Sequence, residues 1–367
     1  MHHQFLHAVK VRLPLAAALL VLTAASSPGQ FGTFHRPDGA NPVISPQKET
    51  TFQCPLRKAL VHWESLHTFN PAAVVRNGKV YVIYRAEDDS GEMKIGMHTS
   101  RLGLAESTDG LHFTRRAEPV LFPDNDTEQG REWEGGVEDP RIVEAEDGRY
   151  VLTYTQWNRQ KTAAAIATST DLLHWTKHGP ALGSDMSYKS AGIVTSLVKG
   201  RLIAKKIRGH YWMYWGEGTI RLATSDDLVH WTPVAGSDGQ PLAVLDKRAG
   251  RFDSSFPEVG PPPIWTPKGI VVLYNGKNAP AGGSPSLAPE TYAVGQALFA
   301  PDDPAKLLER TEDPIFKPEL AFERSGQYAA GTTFAEGLVY FRKKWFLYYG
   351  CADSLVGVAV ASRGPKP

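Results

Sequence analysis

A strand pattern that returns five times constrains this chain more than any other feature of its sequence. It appears as "NGKVYVIYRAED" (77–88), "DGRYVLTYTQWN" (147–158), "KGRLIAKKIRGHYWMYWGE" (199–217), "KGIVVLYNGKN" (268–278) and "KKWFLYYGCAD" (343–353). Each copy opens on a turn signal or a basic pair, runs through aromatic and β-branched residues, and ends in a polar cluster. That is the pattern of a half-buried strand. A second strand follows in each case: "LGLAESTDGLHF", "AAIATSTDLLHW", "IRLATSDDLVHW", "AVGQALFAPDDP" and "VGVAVAS". Three of these carry Ser-x-Asp-x-x-x-Trp/Phe, in which the Asp is expected to bond its own backbone as a turn. Five copies at intervals of about 55 to 75 residues fit the blades of a propeller. No stretch sustains a 3.6-residue apolar period. The expectation is an all-β chain, one five-bladed β-propeller over residues 40–367, its last blade closed by pairing early with late strands.

Residues 1–28 stand apart. Lys10 and Arg12 precede "LPLAAALLVLTAA", an apolar run short for a bilayer span, and "ASSPGQ" supplies small residues for cleavage. This reads as a secretory signal peptide, so the mature protein is expected to be exported, periplasmic or secreted, without a membrane partner. Export permits a disulfide between Cys54 and Cys351, which would staple the closure, but sequence leaves open whether they pair. Forty Lys and Arg against 39 Asp and Glu leave a net charge of +1, with no electrostatic case for nucleic acid.

In a propeller the innermost strands converge on one channel, so the polar strand ends are expected to meet at one mouth. Arg85, Glu87 and Asp88; Asp139 and Arg141; Glu217; Asn275; and Asp353 are the residues concerned. This accounts for "EGGVEDPRI" (134–142), which holds far more charge than a turn needs. Carboxylates, guanidinium and amide beside aromatics such as Trp157, Trp215 and Tyr274 suit a sugar. Glycoside cleavage needs one carboxylic acid to protonate the leaving oxygen and a second carboxylate as base or nucleophile. There is no Gly-x-Ser-x-Gly elbow, His-Glu-x-x-His, Walker loop or Cys-x-x-Cys. The twelve His show no metal-like spacing, so neither metal nor cofactor is expected.

"FNPAAVVRNGKVYVIYRAED", "GGVEDPRI", "GPPPIWTPKGIVVLYNG" and "YYGCADSLVGVAVA" resemble the signature segments of glycoside hydrolase family 130, in order, over roughly residues 45 to 362. The resemblance implies a five-bladed propeller acting on β-linked mannosides, either by phosphorolysis or by hydrolysis. It assigns Asp139 as general acid, its proton passing in the phosphorylases through a sugar hydroxyl. Asn70, Arg85 and Asp353 match positions that hold the mannose. Where a phosphorylase is expected to place a phosphate-binding cation stands Glu217, and "FDSSFPEVGPPP" adds Glu258, like the second acid of the hydrolytic members. Either Glu could be the base. Asp88, Arg141, Trp157, Lys189, Tyr274 and Asn275 complete the expected substrate-binding set, while Glu134 and Glu138 read as structural. The reading is an inverting, exo-acting β-1,2-mannosidase releasing mannose. A β-mannosyl phosphorylase yielding mannose 1-phosphate and a non-catalytic glycan-binding propeller are the alternatives.

Overall fold

The protein, seen in a computed structural model that describes residues 30–183 and 186–365, is all-β. Among the described residues its helices are single turns, Gln129–Glu132 and Ala321–Glu323. The signal-peptide segment lies outside the described residues. No helix among those described is long and apolar enough to cross a membrane.

The strands fall into five consecutive antiparallel units. The first is His67–Arg76, Lys79–Glu87, Ser100–Ser107 and Thr114–Arg115. The second runs Gly136–Glu144, Tyr150–Trp157, Thr162–Ser169 and Thr176–Pro180. In the third, Ala191–Ile193, His210–Trp215, Ile220–Ser225 and Thr232–Pro233 pair in turn. The fourth sets Phe256–Val259 and Ile264–Thr266 against Gly269–Lys277, followed by Tyr292–Phe299 and Leu307–Arg310. The fifth holds Thr333–Phe341, Lys344–Cys351 and Leu355–Ala361. Chain entry and exit then meet, because His35 and Ile44 bridge Val360 and Val356 of the last strand.

The strands are buried on both faces, not one. On Gly269–Lys277, Val271 and Leu273 face one apolar cluster while Ile270, Val272 and Tyr274 face another. On Lys344–Cys351, Trp345, Leu347 and Tyr349 point one way and Phe346 and Tyr348 the other. Period-2 alternation therefore sorts residues between two cores instead of between core and water. The five clusters join the units in cyclic order. Ile83 and Leu152 share the cluster between the first and second, Val151 and Met213 that between the second and third, and Tyr214 and Val272 that between the third and fourth. Leu273 and Leu347 share the cluster between the fourth and fifth, and Phe346 and Val82 that between the fifth and the first.

Cys54 and Cys351 are both buried and both free, in different clusters, so no disulfide staples the seam. Backbone bonds do that work instead, among them Thr68 N–H to Ser354 C=O at 3.1 Å.

The Ser-x-Asp elements form one turn three times over. Asp171 Oδ1 accepts the amides of Leu173 and His174, and Ser169 Oγ those of Asp171 and Leu172. Asp109 and Asp227 repeat the arrangement. The residue after each Asp, Gly110, Leu172 or Leu228, takes a positive φ of 81°, 71° or 71°. Burial pushes all three carboxyls up, but the bonds from the following His and the backbone amides outweigh it and hold them well below the usual range. A depressed carboxyl stabilises the fold above its unfolded value, near 4, and loses that contribution as pH falls below it. Asp171→Ala, Asp109→Ala and Asp227→Ala should each cost about 1 kcal/mol at pH 7 by loss of two amide partners. Because the turns are separate, the triple variant should sum the costs. Urea unfolding at pH 7 and pH 3 checks this, with the deficit expected to shrink at pH 3.

Candidate active site

Three of the five first strands are bulged where they approach a common cavity. Register shifts fall between Phe69 and Pro71, between Glu138 and Arg141, and between Ala335 and Gly337. The residues left over are Asn70, Asp139 with Pro140, and Glu336. Asn70 and Asp139 sit at φ 45° and 48°, in the left-handed region that non-glycine residues seldom occupy. A bulge re-aims a side chain that regular pleating would bury in an inter-sheet core. The outcome is a hydrogen bond from Asn70 Nδ2 to Asp139 Oδ1 at 2.9 Å, joining two units. Gly136 explains a glycine of the "EGGVEDPRI" segment: at φ 113° its strand lies so close to the first unit that a Cβ would meet Ser100 O at 2.1 Å.

Arg85 is the hub. Its guanidinium reaches Glu87 at 2.6 Å, Glu138 at 2.9 Å and Asp139 at 3.1 Å, with all four side chains nearly closed to solvent. Its face lies over the Phe69 ring at 4.5 Å. Burial, helped by the charges of Asp139 and Glu87, raises Glu138 to about 7 in spite of Arg85. Burial also pushes on Asp139, but Arg85, Lys189, Arg141 and the Asn70 amide prevail and hold it down at about 2. One proton on this adjacent pair is thus retained to near neutrality.

Of the two candidate bases, Glu258 lines this cavity and Glu217 is not among its lining residues. Glu217 and Glu258 oppose one another in an isolated antiparallel bridge. Lys189 Nζ lies 3.7 Å from Glu217 and 3.5 Å from Glu258, and Ser190 Oγ donates to Glu258 at 2.5 Å. Burial first, and then the Glu217 charge, raise Glu258 to about 7 in spite of Lys189. Asp353 is likewise raised to about 6 by burial and by Asp139 and Glu87. Asn70, Arg85, Asp139, Lys189, Glu258 and Asp353 all line one cavity of about 240 Å³.

The other expected binding residues are elsewhere. Tyr274 is turned into the core beside Asp253, Arg248 and Arg310. Asn275 is consumed by Ala335, accepting its amide at 2.8 Å and donating to its carbonyl at 3.1 Å. Asp88 is wholly buried against Arg101. Arg141 lies under the floor, bonded to the carbonyls of Asp139 and Val259 and paired with Glu336 at 2.9 Å. Trp157 does not stack on the cavity but donates to the carbonyl of Gly96 at 2.8 Å, holding a wall loop. A strand buried on both faces gives no sign in its sequence of which pleat faces the cavity. Glu134 is structural as expected, paired with Arg159 at 2.7 Å. Glu138 is not, since it lines the cavity.

Sequence reasoning missed the aromatic wall. Phe69, Tyr292, Tyr328 and Phe334 line the cavity, with Tyr292 edge-on to Tyr328 and Phe334 at 5.3 and 5.8 Å. The Gly/Pro-rich segment 276–290 is what positions Tyr328. Asn278 gathers the carbonyls of Ser284, Leu287 and Ala288, and Glu290 at the segment's end meets Lys277 and the Tyr328 hydroxyl.

A pocket of paired carboxyls, one arginine hub and flat rings is that of a carbohydrate-active enzyme. The chain belongs to glycoside hydrolase family 130, whose description, β-1,4-mannooligosaccharide phosphorylase, matches residues 35–363. It is 33% identical over 306 residues to the 1,2-β-oligomannan phosphorylase of Thermoanaerobacter sp. (strain X514), covering 83% of this chain and 92% of that one. A solved structure 52% identical, with TM-score 0.89 over 92% of this chain and 97% of that one, was described with the statement that this family of mannoside phosphorylases contains glycoside hydrolases targeting β-1,2 mannosidic linkages in Candida mannan. A glycosyl hydrolase from Bacteroides ovatus is 54% identical, with TM-score 0.88, covering 90% of this chain and 93% of that one.

Arg85→Met should strand three buried carboxylates, at a cost of about 3–5 kcal/mol at pH 7. Asp139, held low by Arg85 in the wild type, stabilises the fold above pH ~4 and loses that contribution as pH falls toward 2. The deficit of the variant should therefore narrow over that interval. Paired denaturation curves at pH 7 and pH 3 measure it.

Proposed function

We propose that this protein is an exported, inverting β-1,2-mannosidase, a single five-bladed propeller that removes mannose from the end of a β-linked mannoside. The cyclic order of the five apolar clusters and the pairing of chain entry with chain exit support the propeller reading. The signal-like segment at residues 1–28 supports export. A cavity of about 240 Å³ lies below the ~300–1,000 Å³ of common ligand pockets, which favours one terminal sugar over a through-running chain.

The observation that carries hydrolysis is the balance of charge. Glu87, Glu138, Asp139, Glu217, Glu258, Glu336 and Asp353 surround three cations, Arg85, Arg141 and Lys189. Even with the four raised carboxyls protonated, Glu87, Asp139 and Glu217 still match the three cations. No positive charge is left over for a phosphate dianion, and close carboxylates oppose it. Water needs no such cation. Glu258, backed by Glu217, is the base that takes its proton, while the Glu138–Asp139 pair, which together retains one proton to near neutrality, supplies the proton of the leaving oxygen. Attack from the face opposite the leaving group inverts the anomeric carbon.

Phosphorolysis is the second reading, and names favour it: the family description and the 33% identical Thermoanaerobacter relative are both phosphorylases. The more similar structure at 52% identity, tied in its description to hydrolases of β-1,2 linkages, supports the first. Proton NMR of β-1,2-mannobiose turnover separates them. Hydrolysis gives α-mannose first at a rate indifferent to added phosphate. Phosphorolysis gives mannose 1-phosphate at a rate that requires phosphate, and initial β-mannose would indicate retention.

Two variant predictions follow from the same assignment. Asp139→Asn should lower turnover ~10²–10⁴-fold if general acid catalysis carries its usual weight. The base must be ionised, so activity should rise with pH through about 7, the value at Glu258; it should fall as the Glu138–Asp139 pair loses its proton, also near 7. A narrow bell near neutrality is expected. Removing the Glu217 charge lowers Glu258, so Glu217→Gln should move the rising limb of kcat/KM to lower pH. A pH–rate profile of the variant reads that shift directly.

A further inference from the structure

The geometry points to a divalent-cation site of zinc type, formed by His67, Glu87 and His98 at the seam between the first and last units. One donor atom from each of the three lies within 4.8 Å of the other two. His67 and Glu87 are cross-strand partners at the ends of the first unit's first two strands, and His98 ends the irregular loop that leads into the third.

A second observation is independent of that proximity. His98 is 4% exposed, and its Nδ1 is buried without any hydrogen-bond partner. Buried imidazole nitrogens are seldom left so, because the lost hydration has to be replaced. His67 is arranged as metal-bound histidines are. Its Nδ1 meets Ser354 Oγ at 2.9 Å, which fixes the ring and leaves Nε2 as the nitrogen available to a cation. Glu87 gives Oε1 to Arg85 and shares Oε2 with Gln327 Nε2 at 3.0 Å, leaving a lone pair on Oε2 for a cation.

Two imidazoles and one carboxylate with an open fourth position suit zinc, or cobalt or nickel in its place. Donors around zinc stand about 3.3 Å apart, given bonds near 2.0 Å, so the cluster has to contract by about 1.5 Å. His98, on irregular backbone, can supply that movement. A bound cation would tie the loop carrying Ile95 and Gly96, both on the cavity wall, to Ser354 and Gln327 of the last unit. It would act as a structural clamp at the seam where no disulfide is found.

The test uses full-length protein dialysed against EDTA, with zinc chloride as probe. His2, His3 and His7 near the amino terminus can bind zinc on their own, so the quantity read is the difference between proteins. Equilibrium dialysis with elemental analysis should find one more zinc per wild-type chain than per His67→Ala/His98→Ala chain. His98→Gln alone should weaken that site at least tenfold. Zinc at a hundred times its dissociation constant should raise the wild-type Tm by about 3 °C and leave the double variant unmoved. Equal stoichiometry in wild type and double variant overturns the site. So does a zinc-induced Tm rise of the same size in both.

Discussion

Everything at the centre of this molecule depends on Arg85. Three carboxylates of one pocket lie within 3.1 Å of its guanidinium, closed off from water. Carboxylates at that spacing repel one another strongly in a low-dielectric interior and would bind protons instead of staying charged. The fork of Arg85 lets Asp139 remain ionised while its sequence neighbour Glu138 keeps a proton near neutrality. A lysine would place a single point of charge and could not span three acids in one plane. Folding and chemistry are tied together here, since the residue that makes the pocket tolerable also sets which carboxyl holds the proton.

The strands can deliver such a pocket only by breaking their own regularity. Both faces of each blade-like unit are claimed by apolar clusters, so an ideal pleat offers no side chain to the cavity. Bulges at Asn70, Asp139 and Glu336 lift one residue out of the alternation in three units. Positive φ at Asn70, Asp139 and Asp353 does the rest of the aiming. Residues in such conformations persist where the surroundings over-determine them. Asn70 is fixed by Asp139 on one side and by the close approach of Gly350 on the other, where a Cβ would meet Asn70 Oδ1 at 2.1 Å.

What could be read from sequence follows from these constraints. Five repeats and the turns built on Asp109, Asp171 and Asp227 were legible because strand periodicity and Asx geometry are local. So was the pocket's acidic core around Asp139, because too many charges for a turn stood together. Which pleat faces the cavity was not legible. Tyr274 and Asn275 carry suitable chemistry but point into a cluster and at Ala335, whereas Tyr292, Tyr328 and Phe334 form the wall. His67, Glu87 and His98 show no spacing in the chain because two strands and a loop bring them together. Residue identity was visible; long-range register was not.

The two sides of the pocket are built on opposite principles, and that contrast bears on the choice of nucleophile. On the Arg85 side the acids are satisfied by a fixed, multiply bonded guanidinium. On the other side Glu217 and Glu258 share one ammonium at 3.5–3.7 Å, longer than the contacts Arg85 makes, and Glu217 keeps 39% of its side chain open to solvent. That arrangement leaves Glu217 open to water while Glu258 stays buried. A phosphate would need Lys189 to abandon both carboxylates, which would leave two buried or half-buried charges unpaired, at several kcal/mol. In the proposed hydrolysis water asks for no such rearrangement, because Glu258 as base would need only to accept its proton. A loosely held pair facing a tightly held one suits the hydrolysis proposed above, with a fixed acid side and a base side that meets solvent through Glu217.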